Sequence, residues 1–316
     1  MLREVLPLLL AALQLRARLV DLRPHALRLA EHAVVVAGGS RNYLRAPTAE
    51  GHLLTGGRWL SIAPMSGPRS SACSVVLDGE LWVLGGRGEN GRALPSVEVW
   101  NPQANSWRSS PSFRQARSWH VGGVVGGSLV IAGGYGDFYA SLASAEAFSP
   151  ATGWTSLPPM PRAAYLATAV VLGGRLYVAG GLGCDKLQMW DGTAWTLKAD
   201  LPAKRYSAAS VAVDGKMWVI GGYVRDEGDT ASVIIYDPET DSWMTGVPLP
   251  EPRKGCRATV HTGSILLAGD RRKKLKSTMA LTPKEVKTWK SLTLKPKSAD
   301  ATQELGDRVV TNGQPD

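Results

Sequence analysis

The sequence predicts an all-β protein, a six-bladed β-propeller with a short N-terminal helical segment. Three recurring features predict it. Apolar runs end in a glycine pair, a tryptophan follows each pair at a regular offset, and a tight-turn dipeptide precedes each pair by seven residues. The runs are VVVAGG ending at Gly39, LWVLGG at Gly86, LVIAGG at Gly134, LYVAGG at Gly181, MWVIGG at Gly222 and a sixth copy, ILLAGD, ending at Asp270. Their first glycines stand at 38, 85, 133, 180, 221 and 269, which are steps of 47, 48, 47, 41 and 48 residues. A fixed period of this length means stacked copies of one supersecondary unit.

The elements follow in order. Residues 1–24 hold the run VLPLLLAALQL, too short to span a bilayer. The RARLVDLRP that follows offers no small-residue cleavage site. We read the segment as a helix docked on the propeller or the end of a preceding helical region. The propeller covers 25–292. In its first unit HALRLA (25–30) supplies the inner strand, with Glu31-His32 as a poor turn. Later units use Asp78-Gly79, Gly126-Gly127, Gly173-Gly174, Asp214-Gly215 and Thr262-Gly263, dipeptides suited to the positive φ of two-residue hairpins.

The second unit shows the four-strand pattern: ACSVVL (72–77), ELWVLGG, SVEVWNP (96–102) and SWRSS. A sheet of that size cannot bury both faces alone, whereas radial stacking buries them and leaves short edges. The tryptophans Trp59, Trp107, Trp154, Trp195, Trp243 and Trp289 are the apolar plugs between blades. The short fourth unit loses its residues in the loop after Gly181. Residues 293–316 form a polar tail with the composition of a disordered segment.

Composition agrees. The chain has 316 residues, 35 Gly, 20 Pro and 11 Trp against three Phe. Its net charge of +9 permits an acidic partner without selecting one. Cys73, Cys184 and Cys256 have neither disulfide-framework nor zinc spacing, which points to a reducing compartment, the cytoplasm or the nucleus. No nucleophile elbow, P-loop or dinucleotide fingerprint is present, and no cofactor is expected. GGRGENGR (85–92) lacks the helix start that would hold phosphate. None of the five His has metal-ligand spacing, and His120 and His261 read as buried, hydrogen-bonded residues of inner strands. RRKKLK (271–276) reads as a solvated hairpin loop, so no nucleic-acid partner is expected.

On these residues the chain resembles the kelch family, whose mark is an apolar run, a double glycine, then a spaced Tyr and Trp. The fifth unit fits best, with MWVIGG, VIIYDPETDSW and the Pro-Arg of EPRKG. The second has Trp100 at the Tyr position in VEVWNPQANSW, the third Phe148 and the fourth Trp190, while the first and sixth are degenerate. The resemblance implies a six-bladed kelch propeller whose partner-binding bowl is made by two loop sets on one side. One set follows the glycine pairs and the other joins consecutive blades. It implies a protein-interaction module, and an adaptor role in a ubiquitin ligase by analogy; the propeller is expected to be monomeric, and a basic rim with aromatics suits an acidic peptide or loop of a partner protein. The alternatives are a sugar-acid isomerase, similar to the sialic-acid mutarotase propellers, and a passive scaffold.

Candidate contact residues lie on that rim, where loops carry function. After the glycine pairs come Arg41, Tyr43, Arg87, Asn90, Tyr135, Asp137, Phe138, Tyr139, Tyr223 and Arg225. The connections between blades add Arg69, Arg117, Trp119, Arg162, Arg205, Tyr206 and Arg253. Two roles stay open for Arg69, Arg117, Arg162, Arg205 and Arg253, namely bracing their loop or reaching a partner. YGDFYAS (135–141) carries three aromatics with no packing duty visible in sequence, and Tyr is frequent at interfaces.

Overall fold

The structure is a computed structural model that describes residues 12–15, 33–39, 47–55, 58–137, 140–261, 263–268, 278–281 and 290–292. Its strands form six four-stranded antiparallel sheets. Blade one is Ala12–Leu15, Ala33–Ala37, Gly51–Thr55 and Arg58–Ile62. Blade two is Cys73–Leu77, Glu80–Leu84, Val97–Asn101 and Ser106–Ser110. Blade three is Val121–Val125, Ser128–Ala132, Ala145–Ser149 and Gly153–Leu157. Blade four is Thr168–Leu172, Arg175–Ala179, Leu187–Trp190 and Trp195–Lys198. Blade five is Ala209–Val213, Lys216–Ile220, Val233–Asp237 and Ser242–Thr245. Blade six is Arg257–His261, Ser264–Ala268, Thr278–Leu281 and Lys290–Leu292. The first strand of each blade packs beside the first strands of its neighbours, and Ala12–Leu15 lies between those of blades two and six, which closes the ring.

Alternation along each strand builds the core. In Glu80–Leu84, Leu81 and Val83 join the layer shared with blade one, with Val35 and Leu53. Trp82 and Leu84 join the layer shared with blade three, with Leu129, Ile131 and Phe148. A strand buried on both faces therefore needs a near-continuous apolar run, which is what each glycine pair follows. Fully buried side chains such as Ile131 and Leu176 each contribute roughly 1.5–3 kcal/mol of burial.

The glycine pairs sit on the seams. The second glycine of each donates to a carbonyl just ahead of the next blade: Gly86 N to Arg117 O at 3.0 Å, Gly134 N to Ala164 O at 2.8 Å, Gly181 N to Arg205 O at 2.9 Å. The first glycine lies against the same carbonyl. A Cβ on Gly133, at φ +65°, would stand 2.4 Å from Ala164 O. The tryptophans tie the outer rim of these seams, beyond the packing expected of them. Trp107 Nε1 donates to Ala63 O at 2.6 Å, Trp154 to Pro111 O at 2.7 Å, Trp195 to Pro158 O at 3.0 Å and Trp243 to Ala199 O at 3.0 Å. Trp59 is 38% exposed, and Trp289 lies outside the described residues.

Blade one corrects one expectation. Its inner strand is Ala12–Leu15, with Leu13 opposite Val35 and Leu15 opposite Ala33. A two-residue turn at Glu31-His32 would instead have set Arg28 opposite Val35, which is 0% exposed. A one-residue slip exchanges the faces of a strand, and the apolar residues of Ala12–Leu15 take the register that a charge would have occupied. Residues 25–30 lie outside the described residues. So do residues 1–11 and 16–24 of the segment expected to be helical, and the tail 293–316. Among the described residues each blade takes its four strands in chain order, and no strand is lent across the ends.

Candidate protein-interaction face

The two loop sets meet on one end of the propeller. Ser70 and Arg87 exchange backbone hydrogen bonds at 3.0 and 2.7 Å, Ser118 and Tyr135 at 3.0 and 2.8 Å, and Leu182 N donates to Tyr165 O at 2.9 Å. In blade five the same pairing becomes a small sheet, with Arg205–Tyr206 against Tyr223–Val224 and then Gly228–Asp229. One residue further on, a backbone chain runs from blade to blade. Trp119 N donates to Ser71 O, Leu166 N to Trp119 O, Ser207 N to Leu166 O and Gly255 N to Ser207 O, at 2.8–3.2 Å. Each of these five residues has positive φ. For Trp119 (φ 52°) and Leu166 (φ 56°) that conformation is costly, and it persists because hydrogen bonds on both sides hold it.

Three of the arginines ahead of the blades, Arg69, Arg117 and Arg205, are braces, and a fourth, Arg253, is enclosed with Glu251 at 3.0 Å. Arg69, Arg117, Arg205 and Arg253 are 3%, 0%, 5% and 1% exposed. Arg117 Nη1 donates to Gly133 O at 2.8 Å and Ser144 O at 2.9 Å, and Nη2 to Ser144 Oγ at 3.1 Å and Glu146 Oε1 at 2.9 Å. Arg69 makes the same set with Gly85, Ser96 and Glu98, and Arg205 makes it with Gly221 and Ser232. Ile234 stands at the carboxylate register of blade five, so Arg205 has no carboxylate at that place. Burial then holds its guanidinium down to about 10, against the weaker pull of Glu227. Four of the five open arginines are thus spent inside the protein, and their enclosed guanidinium groups are not contact surface.

Blade four departs from this pattern. Ala164 occupies the brace position, as its carbonyl bond to Gly134 shows, and Gln188 stands where the others have Glu98 and Glu146. With no guanidinium to neutralise, a neutral amide suffices. Gln188 Oε1 accepts from Arg162 N at 2.8 Å and Nε2 donates to Arg162 O at 3.1 Å. Arg162 itself is exposed, two residues ahead of the brace position.

Aromatic side chains gather on the remaining rim. Trp119, Tyr135 and Tyr165 form a triad with centroid distances of 5.8, 6.4 and 4.9 Å. The Arg87 guanidinium lies 5.1 Å from the Trp119 ring. Burial, then Tyr135, raises the Tyr165 phenol above its ordinary value. Further round, Tyr206 and Tyr223 pack at 4.9 Å, and Lys254 Nζ sits 4.8 Å from Tyr223 and 3.0 Å from Asp229. Leu182, 42% exposed, lies between the two groups in chain order. Asp137 Oδ1 accepts from Ala93 N at 2.9 Å and so joins the rim loops of blades two and three. Asn90 turns its amide oxygen to Arg92 N, and Arg225 is exposed. Arg41, Tyr43, Phe138 and Tyr139 lie outside the described residues.

Sequence reasoning missed Tyr165, Leu182 and Lys254. Aligning the connections on Pro-Arg put Arg162 in the register that Ala164 holds. Aligned on Ala164, Tyr165 matches Ser70, Ser118, Tyr206 and Lys254. His120 is buried as expected, but neither ring nitrogen has a hydrogen-bond partner, and burial with nearby Arg117 pushes it from 6.5 to about 3. Cys184 and Cys256 are buried, and burial pushes the Cys73 thiol up to about 12. Among the described residues no group of His, Cys, Asp and Glu could hold a metal, and no helix is long and apolar enough to cross a membrane.

Fold and face together define a class: a repeat propeller whose loops at one end carry two aromatic clusters. The Kelch motif family matches residues 68–114, 116–161 and 204–250, and the chain is a kelch-repeat β-propeller. It is similar to Kelch-like protein 35 of Homo sapiens, 38% identical over 253 residues (77% of this chain, 42% of that protein), and to its Mus musculus counterpart at 29% with the same coverage. It is also similar to Kelch-like protein 33 of Homo sapiens, 40% identical over 92 residues (29% of this chain, 17% of that protein). The chain spans about two fifths of the Kelch-like protein 35 relatives, 42% of their length. The solved structure of YjhT superimposes with a TM-score of 0.70 at 17% identity, covering 83% of this chain and 95% of that one, a likeness of fold.

Proposed function

We propose that the chain is a protein-interaction module that binds a peptide or loop of a partner protein on its loop face, with acidic residues of the partner meeting the free arginines. The observation that carries the reading is the Arg87–Trp119–Tyr135–Tyr165 group, half-buried side chains that bring three aromatic rings and one cation together on the rim. Arg162 and Arg225, in the connection ahead of blade four and the rim loop of blade five, add exposed positive charge. An Arg pairs with a carboxylate through two parallel hydrogen bonds, while Tyr and Trp contribute area at low entropic cost. Within this reading the chain works as a monomer in the cytoplasm, where its three cysteines stay reduced, and presents a client to a ubiquitin ligase. The kelch-like relatives support that role by their kinship alone.

The reading is non-enzymatic. A sugar carboxylate held by Arg69, Arg117 or Arg205 would have to displace the carbonyl and side-chain oxygens to which these arginines already donate. Quantitative affinity capture tests the reading, with the wild type compared against an Arg87→Ala, Tyr135→Ala, Arg225→Ala triple variant of unchanged melting temperature. A defined set of proteins recovered by the wild type and lost by the variant is expected. Equal recovery by both would remove this face from the function.

A further inference from the structure

We propose that the partner segment is an extended, proline-bearing peptide, with its prolines on the aromatic arc and a carboxylate at the Arg87 end. The inference rests on the interaction-module reading and names the partner chemistry. The arc runs across blades three to five through Trp119, Tyr135, Tyr165, Leu182, Tyr206 and Tyr223.

Charge is distributed unevenly along it. Arg87 lies at one end, on the Trp119 ring. At the other end Lys254 pairs with Asp229 at 3.0 Å, and the exposed Lys204 and Arg225 flank Tyr206 and Tyr223. The six residues between carry no charge. A uniformly acidic peptide would lay carboxylates over the ring faces between the two ends. An apolar segment with an acidic end matches the run from Arg87 across the rings.

Hydrogen bonding points to the same chemistry. The indole N–H groups of Trp107, Trp154, Trp195 and Trp243 each donate to a carbonyl of the fold. The Trp119 indole N–H has no acceptor among the described residues, so it is a donor available on the rim. A polyproline II segment complements such a surface, because its carbonyls make no internal hydrogen bonds, its rings stack on aromatic faces, and it is already extended before binding. The rim is also preformed. The backbone chain through Ser71, Trp119, Leu166 and Ser207 fixes Trp119 in its left-handed conformation, so little ordering remains for the binding step.

The test is selection of a displayed library of random 12-residue peptides on the intact protein. Selected sequences are expected to be enriched in proline, with Asp or Glu towards one end. A synthetic peptide of the winning sequence is expected to bind about tenfold more weakly to Trp119→Gly and to Tyr165→Ala. Binding to Met244→Ala, altered at an exposed residue of an outer strand, should be unchanged. Glycine suits the positive φ of position 119, so Trp119→Gly keeps the fold, and its melting temperature checks that. Winning peptides without proline enrichment, yet weakened by Arg87→Ala, would overturn the proline assignment and leave the interaction face standing. Peptides indifferent to Arg87, Trp119 and Tyr165, or no selected peptide at all, would overturn both.

Discussion

Arg117 and Gly86 join two blades through one residue. The Arg117 carbonyl accepts the Gly86 N–H of blade two at 3.0 Å, while its guanidinium enters blade three and reaches Glu146 at 2.9 Å. The blade seam and the loop above it are therefore one hydrogen-bonded unit. Removing the Arg117 side chain should leave Glu146 buried without its cation and cost about 3–5 kcal/mol, as breaking a buried pair does. Blade four shows the relief, an Ala with a Gln. Arg117→Ala with Glu146→Gln should melt higher than Arg117→Ala alone. If the double variant melts no higher than the single, the Ala164–Gln188 arrangement is not a self-sufficient substitute for the brace.

His120 makes stability depend on pH. Its folded value, about 3, lies below the ordinary 6.5. Between those values the unfolded chain binds a proton that the folded chain does not, so stability is full above 6.5 and falls as pH drops. Between pH 7 and pH 5 the loss should be about 2 kcal/mol. His120→Leu should flatten the melting-temperature profile across that window. It also removes two unpartnered buried nitrogens and should be no less stable than the wild type at pH 7. An unchanged acid slope in the variant would mean that other groups set it.

The seam glycines and the turn glycines differ in what they tolerate. Gly126 has positive φ and nothing near its missing Cβ, so Gly126→Ala should cost only the roughly 1–2 kcal/mol of the left-handed conformation. Gly133→Ala meets that cost and also drives a methyl against Ala164 O. Urea titration should show the Gly133 variant markedly less stable, and equal midpoints would disprove the close approach.

The tryptophan ties separate packing from hydrogen bonding. Trp154→Phe keeps most of the ring and loses the bond to Pro111 O, so about 1 kcal/mol is expected, against about 3–5 kcal/mol for Trp154→Ala. Trp59→Phe, at an exposed indole, should be close to neutral. A cost at Trp59 equal to that at Trp154 would contradict the exposed placement.

What the amino-acid order determined by itself is the repeating backbone. Glycine pairs, turn dipeptides and spaced tryptophans are local features with fixed offsets, so blade number and strand order were legible before any coordinate. Tertiary structure alone decided what depends on partners distant in sequence. The sequence shows Arg69, Arg117 and Arg162 as equivalent Pro-Arg or near-Pro-Arg sites. Only the folded ring shows two of them enclosed with Glu98 and Glu146 and the third standing outside beside Gln188. The inner strand of blade one turned on register, because a charge opposite Val35 is excluded only once Val35 is known to be buried. The aromatic triad joins Trp119, Tyr135 and Tyr165 from three separate loops. Proximity of that kind is a property of the closed ring, because radial stacking brings one residue per loop onto a common rim, and no local pattern in the chain records it.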